Sequence, residues 1–216
     1  GSGTSYMPNS VITVPTGGVT LYAQWGVVPK KVNLVYNYNY GITPPTKSFE
    51  YAVNETVTVK SLSDLEWAVP TDYRFVGWNT KANGSGDSYG AGASVMVDAD
   101  GPNELYAMWA ELIPIVITIK GTTKTVTYTG LEQSNSEYTV SYTVNGNPAT
   151  NLPEGLTLNA PTDVVAKGTN VGTYTATLSD DQFSVTGVEL YKYKVTISIP
   201  EENVKLVVNP KAVTIT

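Results

Sequence analysis

The feature that most constrains the fold of this chain is an internal repeat of its sequence. The stretch Gly1-Ser2-Gly3-Thr4-Ser5-Tyr6 resembles Gly84-Ser85-Gly86-Asp87-Ser88-Tyr89, and Leu21-Tyr22-Ala23-Gln24-Trp25 resembles Leu105-Tyr106-Ala107-Met108-Trp109. The offsets are 83 and 84 residues, so the copies are colinear apart from one residue. Repeats of this length are typical of modules arranged in tandem. Residues 1–26 are therefore predicted to be the C-terminal part of a preceding repeat, and residues 27–111 a complete one.

The end of the chain repeats an earlier segment in the same way. Ile117-Thr118-Ile119 and Val213-Thr214-Ile215 each follow a proline, Pro114 and Pro210, at an offset of 96 residues. We therefore predict one β module over residues 112–209 and the start of a following repeat over residues 210–216. The chain is expected to be a slice through a longer array.

Side-chain alternation predicts strands in both modules. Apolar and aromatic residues recur at every second position from Val32 to Tyr40 and again from Tyr191 to Ile199. A period of two is typical of a strand with one buried face. The 15 tyrosines, 19 glycines and 13 prolines suit pleated sheets and tight turns. The predicted fold class is mostly β, as two tandem small β modules in an elongated arrangement.

Two local signals refine this prediction. Residues 61–68 are the only stretch predicted to form a short helical piece, because Ser61 or Ser63 can cap it and Pro70 bars its continuation. Asn145-Gly146 predicts a tight hairpin turn.

Missing residue types exclude most enzyme chemistry. The chain has no histidine and no cysteine, which removes Ser-His-Asp and Cys-His arrangements, thiolate metal sites and disulfides. Carboxylate pairs of the glycosidase kind need a cleft, which modules this small rarely enclose. The prediction is that the chain is not an enzyme and has neither catalytic residues nor a cofactor.

Charge and hydropathy limit the partners. The net charge is −6 and lysine and arginine form no patch, so no nucleic-acid partner is expected. No apolar run approaches the roughly 20 residues of a spanning helix, so no membrane insertion is expected. Asp98-Ala99-Asp100-Gly101 resembles part of a calcium loop but lacks the later glutamate, and no metal site is predicted.

A family resemblance lies in the first module. The resemblance rests on the block from Phe75-Val76-Gly77-Trp78-Asn79-Thr80 to the turn Gly84-Ser85-Gly86, followed by the strand Leu105-Tyr106-Ala107-Met108-Trp109. With these residues, the segment 27–111 resembles the Listeria–Bacteroides repeat, also called the internalin B-repeat. One departure is Asn39-Tyr40-Gly41, where the family usually has an Asn-Gly-Gly turn.

The second module resembles another kind of repeat. The matching pieces are Val126-Thr127-Tyr128-Thr129-Gly130, Leu152-Pro153-Glu154-Gly155-Leu156, Gly168-Thr169-Asn170-Val171-Gly172-Thr173-Tyr174 and Val208-Asn209-Pro210-Lys211. They are similar to MBG-type repeats of bacterial surface proteins. Together the two resemblances imply secreted multi-domain proteins at the cell surface, with β-grasp-like or β-sandwich modules and no catalytic machinery.

The aromatic residues supply the candidate contacts. Trp25, Trp78 and Trp109 lie inside the repeated motifs and are predicted to be core residues. Trp67 lies in an irregular acidic stretch, where an exposed indole can stack on a sugar or a protein partner. Tyr36 and Tyr38 lie in the alternating strand, where a core position or a cross-strand ladder competes with a binding face. We name Trp67, Tyr36 and Tyr38 as candidate partner contacts.

The expected function follows from these points. The chain is predicted to be a non-enzymatic stalk or spacer in adhesion, secreted, attached at the cell wall or outer surface, and monomeric. The alternative is a module that binds a host glycan or an extracellular protein through exposed aromatic residues. An intramolecular Lys–Asn isopeptide stays open, with Lys60 as the candidate lysine. Short linkers with prolines, at Val28-Pro29 and Ile113-Pro114, favour semi-rigid spacing of the modules.

Overall fold

A computed structural model describes residues 3–101 and 103–214 of the chain. The mostly-β prediction is confirmed, because strands dominate and the described residues contain no α-helix. The first seven strands, called the first module, lie between residues 31 and 111. They are β1 (Lys31–Asn37), β2 (Thr46–Ala52), β3 (Glu55–Thr58), β4 (Tyr73–Asn79), β5 (Ser88–Tyr89), β6 (Ser94–Val97) and β7 (Glu104–Glu111).

The first module is built on a five-stranded sheet of order β2-β1-β7-β4-β5, accompanied by the separate pair β3-β6. The first and last strands, β1 and β7, are parallel neighbours, whereas β7 runs antiparallel to β4. One core lies within this module. Its buried members are Leu34, Tyr36, Val57, Val59, Leu65, Trp78, Val97, Leu105 and Ala107.

The predicted strand from Val32 to Tyr40 ends earlier, at Asn37. The side-chain oxygen of Asn37 accepts a hydrogen bond from the backbone N–H of Asn39 at 2.9 Å, and Asn39 has a φ of +51°. Asparagine tolerates this left-handed conformation and forms such local turns. The chain therefore leaves the sheet before Tyr40.

The helical prediction for residues 61–68 is wrong. Within this stretch residues 62–66 form successive turns, and residues 67–68 have no regular structure. The carboxylate of Asp64 accepts hydrogen bonds from the backbone N–H and the hydroxyl of Ser61, as in a capped first turn. Helix propagation then stops at Glu66, whose φ is +55°, because this conformation is incompatible with a right-handed helix.

The remaining strands, called the second module, lie between residues 113 and 209. They are β8 (Ile113–Gly121), β9 (Thr123–Thr127), β10 (Gln133–Asn135), β11 (Tyr138–Val144), β12 (Asn147–Ala149), β13 (Leu156–Asn159), β14 (Ala166–Gly168), β15 (Gly172–Thr177), β16 (Ser184–Gly187), β17 (Tyr193–Glu201) and β18 (Asn203–Asn209). Two short 3-10 helices, Asp180–Gln182 and Leu190–Lys192, interrupt them.

The second module contains two larger sheets, of order β12-β11-β8-β17 and β15-β18-β9, and two strand pairs, β10-β14 and β13-β16. Alternate residues of β8 and of β18 are buried in a single core. The predicted hairpin at Asn145-Gly146 is confirmed: it joins β11 to β12, and its φ values of +50° and +76° are those of a type I′ turn.

The segment 3–30 contains no strand, and Trp25 is 93% exposed. The core prediction for Trp25 is therefore wrong for the chain as described, while Trp78 is fully buried and Trp109 packs against the first core. In the complete copy the matching strand β7 lies between β1 and β4. Residues 21–25 lack two such neighbours within the described chain, so their apolar side chains stay in water.

Predictions at the chain ends fall partly outside the described residues. Gly1, Ser2, Ile215 and Thr216 lie outside them, as does Pro102. The described part of the predicted following repeat, residues 210–214, contains no strand. None of the described helices is long and apolar enough to span a bilayer.

Candidate functional site

The aromatic side chains of the first module form a continuous column of edge-to-face pairs. Tyr38 lies at its centre, with ring centroids 5.4 Å from Trp67, 5.0 Å from Trp109 and 6.3 Å from Tyr40. Tyr40 continues to Tyr73 at 5.2 Å. Such pairs are stabilising beyond their buried area by about 0.5–1.5 kcal/mol each.

The structure corrects one predicted contact residue. Tyr36 has no exposed surface and its ring packs edge-on against Trp78 at 5.0 Å. Its hydroxyl oxygen accepts a hydrogen bond from the backbone N–H of Lys60 at 3.0 Å. Because alternation sends Tyr36 to the core side of β1 together with Leu34, Tyr36 has no surface left for a partner.

The other two predicted contacts are half-buried. Trp67 packs against the first core, and Tyr38 donates its hydroxyl hydrogen to the carbonyl oxygen of Ala68 at 2.6 Å. In the column, Tyr40 is the residue with the largest exposed fraction, 41%. Tyr40 belongs to the same alternating run as Tyr36 and Tyr38 but is not among the predicted contacts, and its exposure results from the turn at Asn39.

Most polar atoms of these aromatic side chains form hydrogen bonds within the protein. The indole N–H of Trp109 donates to the carbonyl oxygen of Tyr38 at 2.8 Å, and that of Trp78 donates to the carbonyl oxygen of Lys60 at 2.9 Å. The ammonium group of Lys60, the isopeptide candidate, lies over the ring of Phe49 at 4.4 Å. This arrangement is that of a packed core edge, with hydrogen bonds directed inward.

Acidic residues near Trp67 are engaged locally. A hydrogen bond from the Lys47 ammonium, at 2.9 Å, lowers the pKa of Glu66. Hydrogen bonds from Ser61 lower the pKa of Asp64. Across residues 3–101 and 103–214, no cluster of three or more carboxylates has a metal-binding arrangement. At Asp98 the carboxylate accepts a hydrogen bond from the backbone N–H of Asp100, which is an ordinary turn.

Two depressions lie on the described surface, one in each module. A groove of about 370 Å³ lies in the second module, lined by Thr177–Asp180, Ile197, Ile199 and Glu202. A smaller depression of about 160 Å³ lies beside Gly77 and Trp78. Without histidine or cysteine in the chain, their linings supply no nucleophile–base pair of the familiar kinds.

A second feature is the junction between the modules. Only Leu112 separates β7 from β8, and Pro114 lies inside β8, so the predicted linker at Ile113-Pro114 is part of a strand. The backbone N–H of Leu112 donates to the carbonyl oxygen of Asp72 at 2.7 Å. The strand thus passes from one module to the next while bonded to a turn of the first.

Side chains from both modules meet at this junction. The carboxylate of Asp72 accepts a hydrogen bond from the ammonium group of Lys194, at the start of β17, at 2.6 Å. The guanidinium of Arg74 lies 5.7 Å from the ring centroid of Tyr191. Both groups of the ion pair are half-exposed, and such pairs add only about 0–1 kcal/mol. These two contacts join the turn at Asp72 and the start of β4 to residues Tyr191 and Lys194 of the second module.

Comparison with known families bears on the first module. Residues 33–107 match the model of the Listeria-Bacteroides repeat domain. The resemblance predicted from the Trp78 motif and the strand ending at Trp109 is confirmed over these residues. The MBG-type resemblance of the second module stays a prediction.

Two curated proteins from Evansella cellulosilytica are similar to part of the chain. One, named "Putative membrane protein", is 38% identical over 93 residues, which are 43% of this chain and 13% of that relative. The other, named "Putative Gly-rich membrane protein", is 34% identical over 114 residues, which are 50% of this chain and 12% of that relative. The chain therefore spans about an eighth of the length of each. No solved structure matches it.

Proposed function

We propose that this chain is a non-enzymatic spacer segment of a secreted bacterial protein held at the cell wall or outer surface, where it sets a distance between the surface and a more distal adhesive part. The match of residues 33–107 to a surface-type repeat supports the class of protein. The one-residue junction at Leu112 supports the spacer role.

The path of the chain through each module favours spacing. In the first module β1 and β7 are parallel, so the chain enters at one end of this strand pair and leaves at the other. In the second module the entry strand β8 pairs in parallel with β17, and the exit strand β18 pairs in parallel with β9. Modules joined end to end in this manner add length with every copy.

The short, hydrogen-bonded junction at Leu112 is the observation that carries the proposal. A long flexible linker would let neighbouring modules fold back on each other. Here the single residue Leu112 is hydrogen-bonded to the turn at Asp72, and Lys194 holds that turn from the other module. Two β modules with so short a connection keep a restricted angle.

The alternative function is recognition of a glycan or extracellular protein by Trp67 and Tyr38, with Tyr40 beside them. The packing of Trp67 against the first core favours the spacer. One observation favours the alternative: the side chain of Tyr40 is exposed.

An array of glycans and extracellular-matrix proteins distinguishes the two functions. The wild-type chain, Trp67→Ala and Tyr40→Ala are applied side by side, with Trp67→Phe as the variant that conserves packing. The spacer proposal predicts no specific binding by any of them. Binding by the wild type that is lost in Trp67→Ala or Tyr40→Ala, while Trp67→Phe stays folded, would assign recognition to this surface instead.

A further inference from the structure

The entry and exit strands of the second module pair in parallel over two stretches, which are separated by a register shift between Ser198 and Glu201 and by a short crossing between the sheets. Residues Ile113–Thr118 pair in parallel with Tyr193–Ser198, with a further pair at Lys120 and Glu201. Beyond this point, Thr123–Thr127 pair in parallel with Lys205–Asn209. We call this double strand, from residues 113 and 193 to residues 127 and 209, the parallel ribbon.

The ribbon passes from one sheet to the other across a short crossing, after which the same two strands pair again. Only Thr122 separates β8 from β9, and only Glu202 separates β17 from β18. At this crossing the backbone N–H of Lys205 donates to the carbonyl oxygen of Thr122 at 2.8 Å. Gly121 permits the close approach, because a Cβ there would lie 2.2 Å from the carbonyl oxygen of Asn203.

A buried amide fastens the two strands at the same place. Asn135 is 2% exposed, and its side-chain N–H groups donate to the carbonyl oxygens of Thr122, at 3.1 Å, and of Lys205, at 2.9 Å. One side chain thus bridges the entry strand and the exit strand. A buried amide with partners on both strands is costly to pull apart, because its bonds cannot be replaced by water until the core opens.

The direction of the strands decides how tension acts on this ribbon. Tension along the chain pulls the entry strand at Ile113 and the exit strand at Asn209, which are at opposite ends of the ribbon. The hydrogen bonds between the strands are then loaded together, in shear. If both strands were pulled from the same end, the bonds would break one after another, at lower force.

We propose that the second module is a tension-bearing clamp, in which the parallel ribbon resists force transmitted along the chain. The proposal deepens the spacer function and rests on it for its biological meaning, since a spacer between a surface and an attached target is pulled from both ends. The resistance itself follows from the pairing alone.

The first module is a weaker element of the same kind. Its parallel contact between β1 and β7 covers only Val35–Asn37 opposite Glu104–Tyr106. Fewer bonds are therefore loaded in shear. Under end-to-end tension the first module is expected to unfold before the second.

Single-molecule force spectroscopy on the full chain tests the clamp in two pulling directions. The chain has no cysteine, so handles can be placed at will. In the first geometry the handles are at the two chain ends. In the second, one handle is at the N-terminus and the other at Val188→Cys, a 90% exposed site shortly before β17, so that both ribbon strands are pulled from the same end.

The first module serves as an internal reference, because it lies between the N-terminal handle and Leu112 in both geometries. Unfolding of the two modules is distinguished end to end by the chain released, roughly 270 Å for residues 31–111 and roughly 330 Å for residues 113–209. In the second geometry residues 113–188 release roughly 260 Å, so the first module is identified there as the one whose unfolding force falls in Trp78→Ala, a fully buried site of its core. The clamp predicts a several-fold higher unfolding force for the second module in the end-to-end geometry, with an unchanged force for the first. Equal second-module forces in both geometries would overturn it.

Two variants test whether the parallel ribbon is the element that resists force. Asn135→Ala removes the bridge between the ribbon strands and is expected to lower the end-to-end unfolding force of the second module. Asn159→Ala, at an exposed site, is the control, since the bonds of its amide to Ser184 and Thr186 lie outside the ribbon, and it is expected to leave that force unchanged. If both variants lower the force equally, the ribbon is not the resisting element. This test is independent of the proposed spacer function, because a flexible junction would change the unfolding force of neither module.

Discussion

Trp25 and Trp109 hold the same place in two copies of one motif, yet Trp25 is 93% exposed while Trp109 packs against the first core and donates its indole N–H to the carbonyl oxygen of Tyr38. The difference lies in the neighbouring strands. The motif of Trp109 lies between β1 and β4. The motif of Trp25 lies in the segment predicted to be the end of a preceding repeat, and residues 3–30 contain no strand beside which it could pack.

The first prediction concerns a variant in which a complete repeat includes the motif of Trp25. A copy of residues 27–83 placed directly before Gly1 supplies the strands equivalent to β1 and β4. Residues 21–25 are then expected to become a central strand, with slowed amide exchange measured by mass spectrometry. An insert with the same residues in scrambled order is the control. Exchange at residues 21–25 as fast as in the original chain would show that the motif does not define the pairing.

The second prediction concerns the first core. Trp78→Ala is expected to lower the free energy of unfolding of the first module by about 3–5 kcal/mol, because it empties a fully buried site. All four tryptophans lie at or before residue 109, so tryptophan fluorescence during urea unfolding reports on this module. Met96→Ala, at an exposed site, is the control and should change the midpoint little. A loss no larger for Trp78→Ala than for Met96→Ala would contradict the assigned core.

The third prediction concerns the crossing of the ribbon. Gly121→Ala places a Cβ against the backbone of Asn203, and neither strand can move without breaking the pairing. The free energy of unfolding of the second module, followed by circular dichroism, is expected to fall by about 1–3 kcal/mol. Gly90→Ala, where a Cβ meets open space, should leave the protein nearly unchanged. Wild-type stability in Gly121→Ala would mean that the strands are not so close.

The fourth prediction is a loss of stability at alkaline pH. Burial raises the pKa of Tyr36 and of Tyr51, so the folded state keeps protons that the unfolded chain releases above about pH 10. This contribution to stability is complete below the unfolded pKa and is lost as the pH rises through the folded pKa. Urea midpoints of the first module should be flat between about pH 6 and 8, since histidine is absent, and fall above about pH 10.

A tyrosine variant checks the cause of this alkaline loss. Tyr36→Phe removes the most deeply buried of these hydroxyls and should make the decline in stability less steep. An equally steep decline in Tyr36→Phe would assign the effect to other groups.

The sequence was sufficient for the β class and for several local elements. Period-two alternation located β1 and β17, and Asn145-Gly146 located a hairpin, because these signals depend on residues near one another in the chain. The helical prediction for residues 61–68 failed at Glu66, whose left-handed conformation no composition rule predicts.

The contacts on which the proposed function depends could not be predicted from the sequence. Asp72 and Lys194 are 122 residues apart, and Asn135 and Lys205 are 70 apart. Nothing in the local sequence marks these polar residues as partners, since their meeting depends on how whole sheets pack. Tyr36 illustrates the same limit, because alternation placed it on a face but did not identify that face as the buried one.

A distance measurement across the junction tests the spacer account most directly. Spin labels at Ala91→Cys and Thr162→Cys, both exposed, report on the two modules by pulsed electron paramagnetic resonance. Inserting Gly-Ser-Gly-Ser after Leu112 gives the flexible reference, and Asp72→Asn with Lys194→Ala weakens only the side-chain contact. A single narrow distance distribution for the wild-type junction, broadened by the insertion, is the predicted result. A wild-type distribution as broad as that of the insertion variant would contradict a rigid spacer.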